Sequence, residues 1–199
     1  MINIELFIAI SVYYFVMYVT PGPNNSILTA SGINFGFRKT IPNILGIPTG
    51  HGLQLIIVCL GLGSILVRFP SILFYMKFIG SIYLLYLGYR MLGSLNVTAQ
   101  QKNNKPLNFF EAVMFQFINP KAWVICITAA SLFFPEKENI IKSIFFMVGM
   151  STIINIPSIS VWAYAGSIIR KYLNNNNFKK IVEWLLAAML LLTAISIFI

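Results

Sequence analysis

Polar and apolar positions in this chain are sorted into long blocks, not into the short periods of a water-soluble fold. Apolar runs occupy about 4–35, 41–67, 71–92, 109–134, 140–169 and 178–198. A bilayer-crossing helix needs about 20 apolar residues, and each run is long enough to be one. The longest polar stretch between them, 94–108, is rich in Gln, Asn and Lys. The pattern predicts an all-α integral membrane protein of about six transmembrane helices.

The first run is not uniform. Thr20-Pro21-Gly22-Pro23-Asn24-Asn25 interrupts it. Pro21 and Pro23 lack backbone N–H groups, so the carbonyls of Met17 and Val19 lose their helical partners. Gly22 lets the chain turn where a side chain would clash. Asn24 and Asn25 are suited to cap a helix restarting at Ser26. The expected result is a broken helix, with free carbonyls on one side and an amide-rich helix start on the other. In lipid such a break survives only where protein buries it or where it lines a cavity. Transporters place substrates at breaks of this kind.

The fourth run carries a second break. Asn119-Pro120-Lys121 lies about 12 residues into it, roughly 18 Å at helical rise. Pro120 frees the carbonyl of Gln116, and Asn119 can cap the helix that Pro120 opens. Lys121 then sits near the middle of the bilayer, where an ionisable residue points to function. The plainer reading is a lysine snorkelling from a shorter span. We expect Lys121 to hold a substrate carboxylate, assisted by the helix start at Asn24–Ser26. Each half therefore begins with a Pro-broken span. Three spans, a linker and three spans predict one transmembrane domain, 1–199, built as two inverted three-helix repeats, 1–93 and 109–199. The linker is 94–108.

Composition agrees and excludes other classes. The chain is 58% hydrophobic and 10% charged, with mean hydropathy +0.81. Soluble domains are about 45–50% apolar and about 25% charged. The net charge of +9 sits in short connections between apolar runs, which argues for the positive-inside rule rather than nucleic acid. Arg38 and Lys39 mark the first connection; Arg90, Lys102 and Lys105 the third; Arg170, Lys171, Lys179 and Lys180 the fifth. The second and fourth offset Arg68, Lys137 and Lys142 with Glu136 and Glu138. The odd connections and the linker should be cytoplasmic, with both termini outside. The segment Ile4–Val19 lacks a basic leader and a cleavage site, and reads as a retained span.

Other polar positions have two readings each. His51, between Gly50 and Gly52, could carry protons near neutral pH, although a lone buried histidine is more often a packing residue. Asn155, Pro157 and Ser158 form a third polar break in the fifth run, either a cavity wall or helix-packing polarity. Gly46, Gly50, Gly52, Gly61, Gly63, Gly80, Gly88, Gly149 and Gly166 allow close helix approach or act as hinges. Tyr83, Tyr86 and Tyr89 read as packing and interface anchors. Cys59 and Cys126 lack CxxC spacing and read as small buried hydrophobes. No enzyme motif is present, and no cofactor or metal is expected. The run Asn174–Asn177 reads as a solvated turn.

Taken together, these stretches resemble the LysE/RhtB amino-acid exporters. Thr20–Asn25, Gly36-Phe37-Arg38 and Gly46 look like that family's first-half signature. Gly80 with Tyr83–Gly88 looks like its third span, and Gln116–Lys121 like its second-half motif. The doubled Asn24-Asn25, Gln116–Lys121 and Trp162–Gly166 look most like the cysteine/O-acetylserine exporter branch. The resemblance implies proton-driven export of small amino acids across the bacterial inner membrane. Many members carry an acid in the fifth span, where this chain reads Asn155-Ile156-Pro157-Ser158. That departure fits a neutral amino acid better than lysine or arginine. Substrate would lie between the two breaks. Lys121 would hold the carboxylate, Asn24, Asn25 and Asn119 would contact polar groups, and the halves would rock to alternate access. A homo-oligomer is compatible with this reading. The rivals are a membrane enzyme or assembly subunit, and a passive channel for small polar solutes.

Overall fold

The structure is a computed structural model that describes residues 3–62, 65, 68–92, 95, 105–135, 139–173 and 175–196. Gly63, Lys102, Glu136, Lys137, Glu138, Asn174 and most of the linker fall outside them. Among the described residues there are eight α-helices and no strand. The first half holds α1 (Ile4–Val19), α2 (Pro23–Phe35), α3 (Phe37–Ile57) and α4 (Pro70–Met91). The second holds α5 (Phe109–Ile118), α6 (Pro120–Phe133), α7 (Ile140–Ile169) and α8 (Asn176–Ser196). A π-helical turn, Val58–Leu62, extends α3, and a 3-10 turn, Arg170–Tyr172, ends α7.

Both expected breaks are present. The chain bends by 52° between α1 and α2 and by 72° between α5 and α6. By length and apolarity, Phe37–Gly61 and Ile140–Tyr172 can each cross a membrane, and each bent pair is a further candidate, giving two to four among the described residues. The sequence pattern alone suggested about six.

Two other expectations change. The first connection is not a loop. α2 passes into α3 through Gly36 alone, at φ 83°, a left-handed corner that favours glycine. The Thr40 hydroxyl donates to the Gly36 carbonyl at 3.0 Å and lies 2.8 Å from the Ser31 hydroxyl, which pins the corner. Arg38 and Lys39 therefore lie in the first turn of α3. The fifth run is also unbroken. α7 is helical throughout, with Pro157 inside it. The Ser158 hydroxyl donates to the Ile154 carbonyl at 2.7 Å. Such local bonding keeps a hydroxyl in a helix without breaking it.

Burial is inverted relative to a soluble protein. Phe145, Ile153, Leu132, Val161 and Leu192 are exposed, while Asn25, Asn43, Gln54, Gln116, Asn119 and Asn155 are buried. The halves interleave. α2 packs on α7, α3 on α5 and α7, and α4 on α8. The α2–α7 contact is backbone to backbone: a methyl on Gly32 would strike the Ala163 carbonyl, and one on Gly166 the Thr29 carbonyl. Gly46 and Gly50 bring α3 equally close to the Phe109 and Val113 carbonyls of α5. At one end, Ile33, Leu95, Leu173 and Val182 form a single apolar cluster, and Glu183 accepts the Leu95 N–H at 3.0 Å. The first, third and fifth connections thus gather at one end of the bundle.

Candidate functional site

The two breaks meet. Proline at 21 and 23 deprives the end of α1 of helical donors, and buried carbonyls must then find others. They do so, contrary to the expectation that they stand free. The Thr20 hydroxyl donates to the Met17 carbonyl (3.1 Å) and Trp162 Nε1 to that of Val19 (3.3 Å). Asn25 Nδ2 donates to the carbonyls of Tyr18 (2.9 Å) and Thr20 (2.8 Å). Lys121 Nζ reaches across from α6 and donates to the Thr20 carbonyl (3.1 Å), the Thr20 hydroxyl (2.9 Å) and the Pro21 carbonyl (3.0 Å). An ammonium has three donors, and all three are engaged. A cation at a helix C-terminus also opposes the negative end of the helix dipole.

α2 restarts earlier than expected, at Pro23, with Gly22 as its N-cap and no side-chain cap. Asn24 and Asn25 sit in its first turn and do not cap it, because Pro23 already fits the first helical position. The first bond within α2 runs from the Ser26 N–H to the Gly22 carbonyl at 2.9 Å, so the amides of Asn24 and Asn25 precede it. The Asn24 side chain turns to the other break. It exchanges a pair of bonds with the Gln116 amide (3.0 and 3.1 Å) and accepts from Asn119 Nδ2 (3.3 Å).

The second break is finished differently. Asn119 caps α6 by accepting the Lys121 N–H at 3.1 Å. The Gln116 carbonyl, released by Pro120, accepts from Gln54 Nε2 at 2.9 Å and from the Asn119 N–H at 3.1 Å. Trp123 Nε1 donates to the Phe117 carbonyl at 2.9 Å.

Between the breaks lies a cleft walled by Gly22, Pro23, Asn24, Asn25, Asn119 and Lys121, together with His51, Asn155, Met17, Tyr18, Ala122, Ile125 and Ile159. Pro21 contributes its carbonyl to Lys121, while Pro120 and Ser158 are not among the residues of the wall. The cleft leaves about 20 Å³ for the centres of water-sized molecules, enough for one water and too little for an amino acid. No acid lines it. Gly22 provides space and not a special φ: a Cβ there would lie 3.0 Å from Lys121 Cδ and 3.1 Å from Nζ, crowding the end of that side chain. His51 is buried; the Cys126 sulfur lies 3.7 Å from each ring nitrogen, and Tyr18 meets the ring edge-on at 5.3 Å. Asn25 Oδ1 and Asn155 Oδ1 are buried acceptors with no partner among the described residues. The residues that sequence reasoning passed over are Thr20, Gln116, Gln54 and Trp162. Thr20 and Gln116 stand inside the motifs that drew attention to Pro21 and Pro120. Trp162 stands in the Trp162–Gly166 stretch noted only for its resemblance, and Gln54 carried no local signal.

Comparison with known proteins places the chain in a family. A family model described as LysE type translocator matches residues 15–199. The cysteine/O-acetylserine efflux protein of Salmonella typhimurium (strain LT2) is 26% identical over 187 residues, covering 94% of each chain. That of Escherichia coli O1:K1 / APEC is 25% identical over 191 residues, again covering 94% of each. An uncharacterized membrane protein of Bacillus subtilis (strain 168) is 22% identical over 180 residues, covering 84% of this chain and 86% of its own. No solved structure matches.

Proposed function

This chain belongs to the LysE type translocator family, a transporter and not an enzyme, and on that premise we propose that it exports small amino acids from the bacterial cytoplasm. Cysteine, O-acetylserine or another neutral amino acid is the substrate, with the proton gradient as driving force. The efflux relatives supply the substrate class. The observation that carries the reading is the meeting of two helix breaks around a lysine, with Asn24 bridging to Asn119 and Lys121 to Thr20. A neutral amino acid is a zwitterion. Its carboxylate suits Lys121 and the uncapped start of α2, where backbone amides and the helix dipole favour an anion. The polar side chains of Asn24, Asn25 and Asn119 suit the rest of the molecule. His51 is the candidate proton carrier on the cleft wall, and Asn155 completes the polar lining. The absence of an acid from the cleft favours a neutral cargo over lysine or arginine, whose second cation would lack a partner.

Six spans in two inverted repeats are the architecture we assign. The pairs α3–α7 and α4–α8 join helices of equal rank in the two halves, which is compatible with a two-fold axis between repeats. The gathering of the basic first, third and fifth connections at one end supports a cytoplasmic face there, and with it both termini outside. The cleft is too small for cargo in this conformation, which supports an alternating-access cycle over an open channel.

Proteoliposome transport tests the reading. Neutral amino acids are loaded singly and their flux is followed with and without an imposed pH gradient. Saturable flux that rises with the gradient is expected. Flux that persists unchanged and unsaturated without it would indicate a channel, and no flux of any amino acid would dismiss export.

A further inference from the structure

We infer that the Thr20 carbonyl, the Thr20 hydroxyl and the Pro21 carbonyl form a subsite for the substrate's ammonium group, which Lys121 fills with its own ammonium when no substrate is bound. The inference deepens the proposed export function and rests on it. Three acceptors converge on one cationic nitrogen at 2.9–3.1 Å. That is the coordination a primary ammonium needs, and the nitrogen now there belongs to a side chain on another helix. Two buried acceptors without partners among the described residues, Asn25 Oδ1 and Asn155 Oδ1, belong to residues of the same cleft. The wall therefore has more acceptors than the protein fills, and none of them is a carboxylate.

The arrangement makes recognition an exchange. A zwitterion's ammonium takes the three oxygens while its carboxylate draws Lys121 Nζ away. Every acceptor stays satisfied, and the lysine trades neutral partners for an anion. A carboxylate without an ammonium would pull Lys121 off and leave the half-buried Thr20 hydroxyl and the Pro21 carbonyl without their charged donor, the Thr20 carbonyl keeping only Asn25 Nδ2, which is unfavourable. An amine without a carboxylate would have to displace Lys121 and leave its charge unpaired. Gly22 keeps the lysine's path clear, since its missing Cβ would sit against Lys121 Cδ and Nζ. Selection for the zwitterion thus follows from the occupied state, with no acid in the site.

The test uses the full chain in lipid nanodiscs. Lys121→Met vacates the subsite. Ethylammonium chloride should then raise the melting temperature of the variant by about 5 °C at saturation, while leaving the unsubstituted protein unmoved. Adding Thr20→Val should abolish the rise, and Thr20→Ser should keep it. An equal rise with sodium chloride would reassign the site to a metal ion and overturn the ammonium assignment. No rise in a folded Lys121→Met protein, or the same rise in the unsubstituted one, would also overturn it. A second measurement keeps Lys121 and covers the case where the variant does not fold. The des-amino analogue of the exported amino acid should compete at least about a hundredfold more weakly than the amino acid itself, and Thr20→Val should narrow that gap. Equal competition would sink the proposal. The ethylammonium arm involves no transport, so its failure and a failure of amino-acid export are separate results.

Discussion

The two helix breaks use the same ingredients, a proline and asparagines, and are finished in opposite ways. At Asn119–Pro120 the new helix is capped by Asn119, and the carbonyl left behind is held by Gln54. That break is closed by neutral side chains, one of them Gln54 from α3 of the other half. At Pro21–Pro23 the new helix has no side-chain cap, and the old helix ends on a lysine borrowed from the other half. One break is closed and lends a charge; the other is open and receives it. The difference shows that a helix interruption does not by itself make a binding surface. What matters is which polar groups remain after the protein's own side chains have been matched.

Substitutions can erase or sharpen this asymmetry. The largest effect is expected from Lys121→Ala, which removes the group that joins the breaks. Export should fall to the level of empty vesicles, while the protein still accumulates in the membrane fraction; wild-type flux would take Lys121 out of the site. Gly22→Ala puts a methyl 3.0 Å from Lys121 Cδ and 3.1 Å from Nζ, so the end of the lysine side chain must shift by a few tenths of an ångström. Losing one charged hydrogen bond should reduce export about tenfold, read as initial rate at saturating substrate, with little change in melting temperature. Pro21→Ala combined with Pro23→Ala restores two backbone donors and should straighten the first span, slowing transport several-fold; an unchanged rate would count against the break as a working part. Asn119→Ala should cost about 1 kcal/mol through loss of the α6 cap, seen as a fall of about 2–4 °C in melting temperature, and Asn119→Asp should recover most of it. Gly88→Ala is the control. Its nearest neighbour across the helix contact would be 3.5 Å away, an ordinary packing distance, and neither transport nor melting should change.

Much of this was legible in the sequence because proline and lysine have few ways to be accommodated in a span. Pro21, Pro23 and Pro120 fixed the positions of both breaks, and Lys121 in a long apolar run marked the place where they would meet. The partners of the freed carbonyls were not legible. Some are local, Thr20 for Met17 and Asn25 for Tyr18, but Trp162, Gln54 and Lys121 are far from their carbonyls in sequence and near only after packing. The cap of α2 was misplaced for a local reason: Asn24 and Asn25 have the chemistry of caps, but Pro23 already occupies the first helical position, so their side chains were free to turn elsewhere. Pro157 was read as a break and is not one. A lone proline in a 30-residue helix is held on both sides by intact turns, whereas two prolines flanking a glycine leave no turn to hold. Gly36 hid a corner, since a single left-handed residue does the work of the loop that Arg38 and Lys39 suggested.

The glycine crossing of α2 and α7 constrains how cargo can pass. By chain order α2 belongs with the N-terminal segment, yet its backbone lies directly on a helix of the C-terminal one. Swinging the two sequence halves as blocks would pull this seam apart. Gly46 and Gly50 tie α5 to α3 in the same way, so the piece held by these crossings is a chimera of both halves, and we expect the flexing to fall to α1, which reaches α2 only through the proline joint. Cut in its linker, the protein would yield two fragments that each lack part of their own machinery, and activity would return only when both are made together.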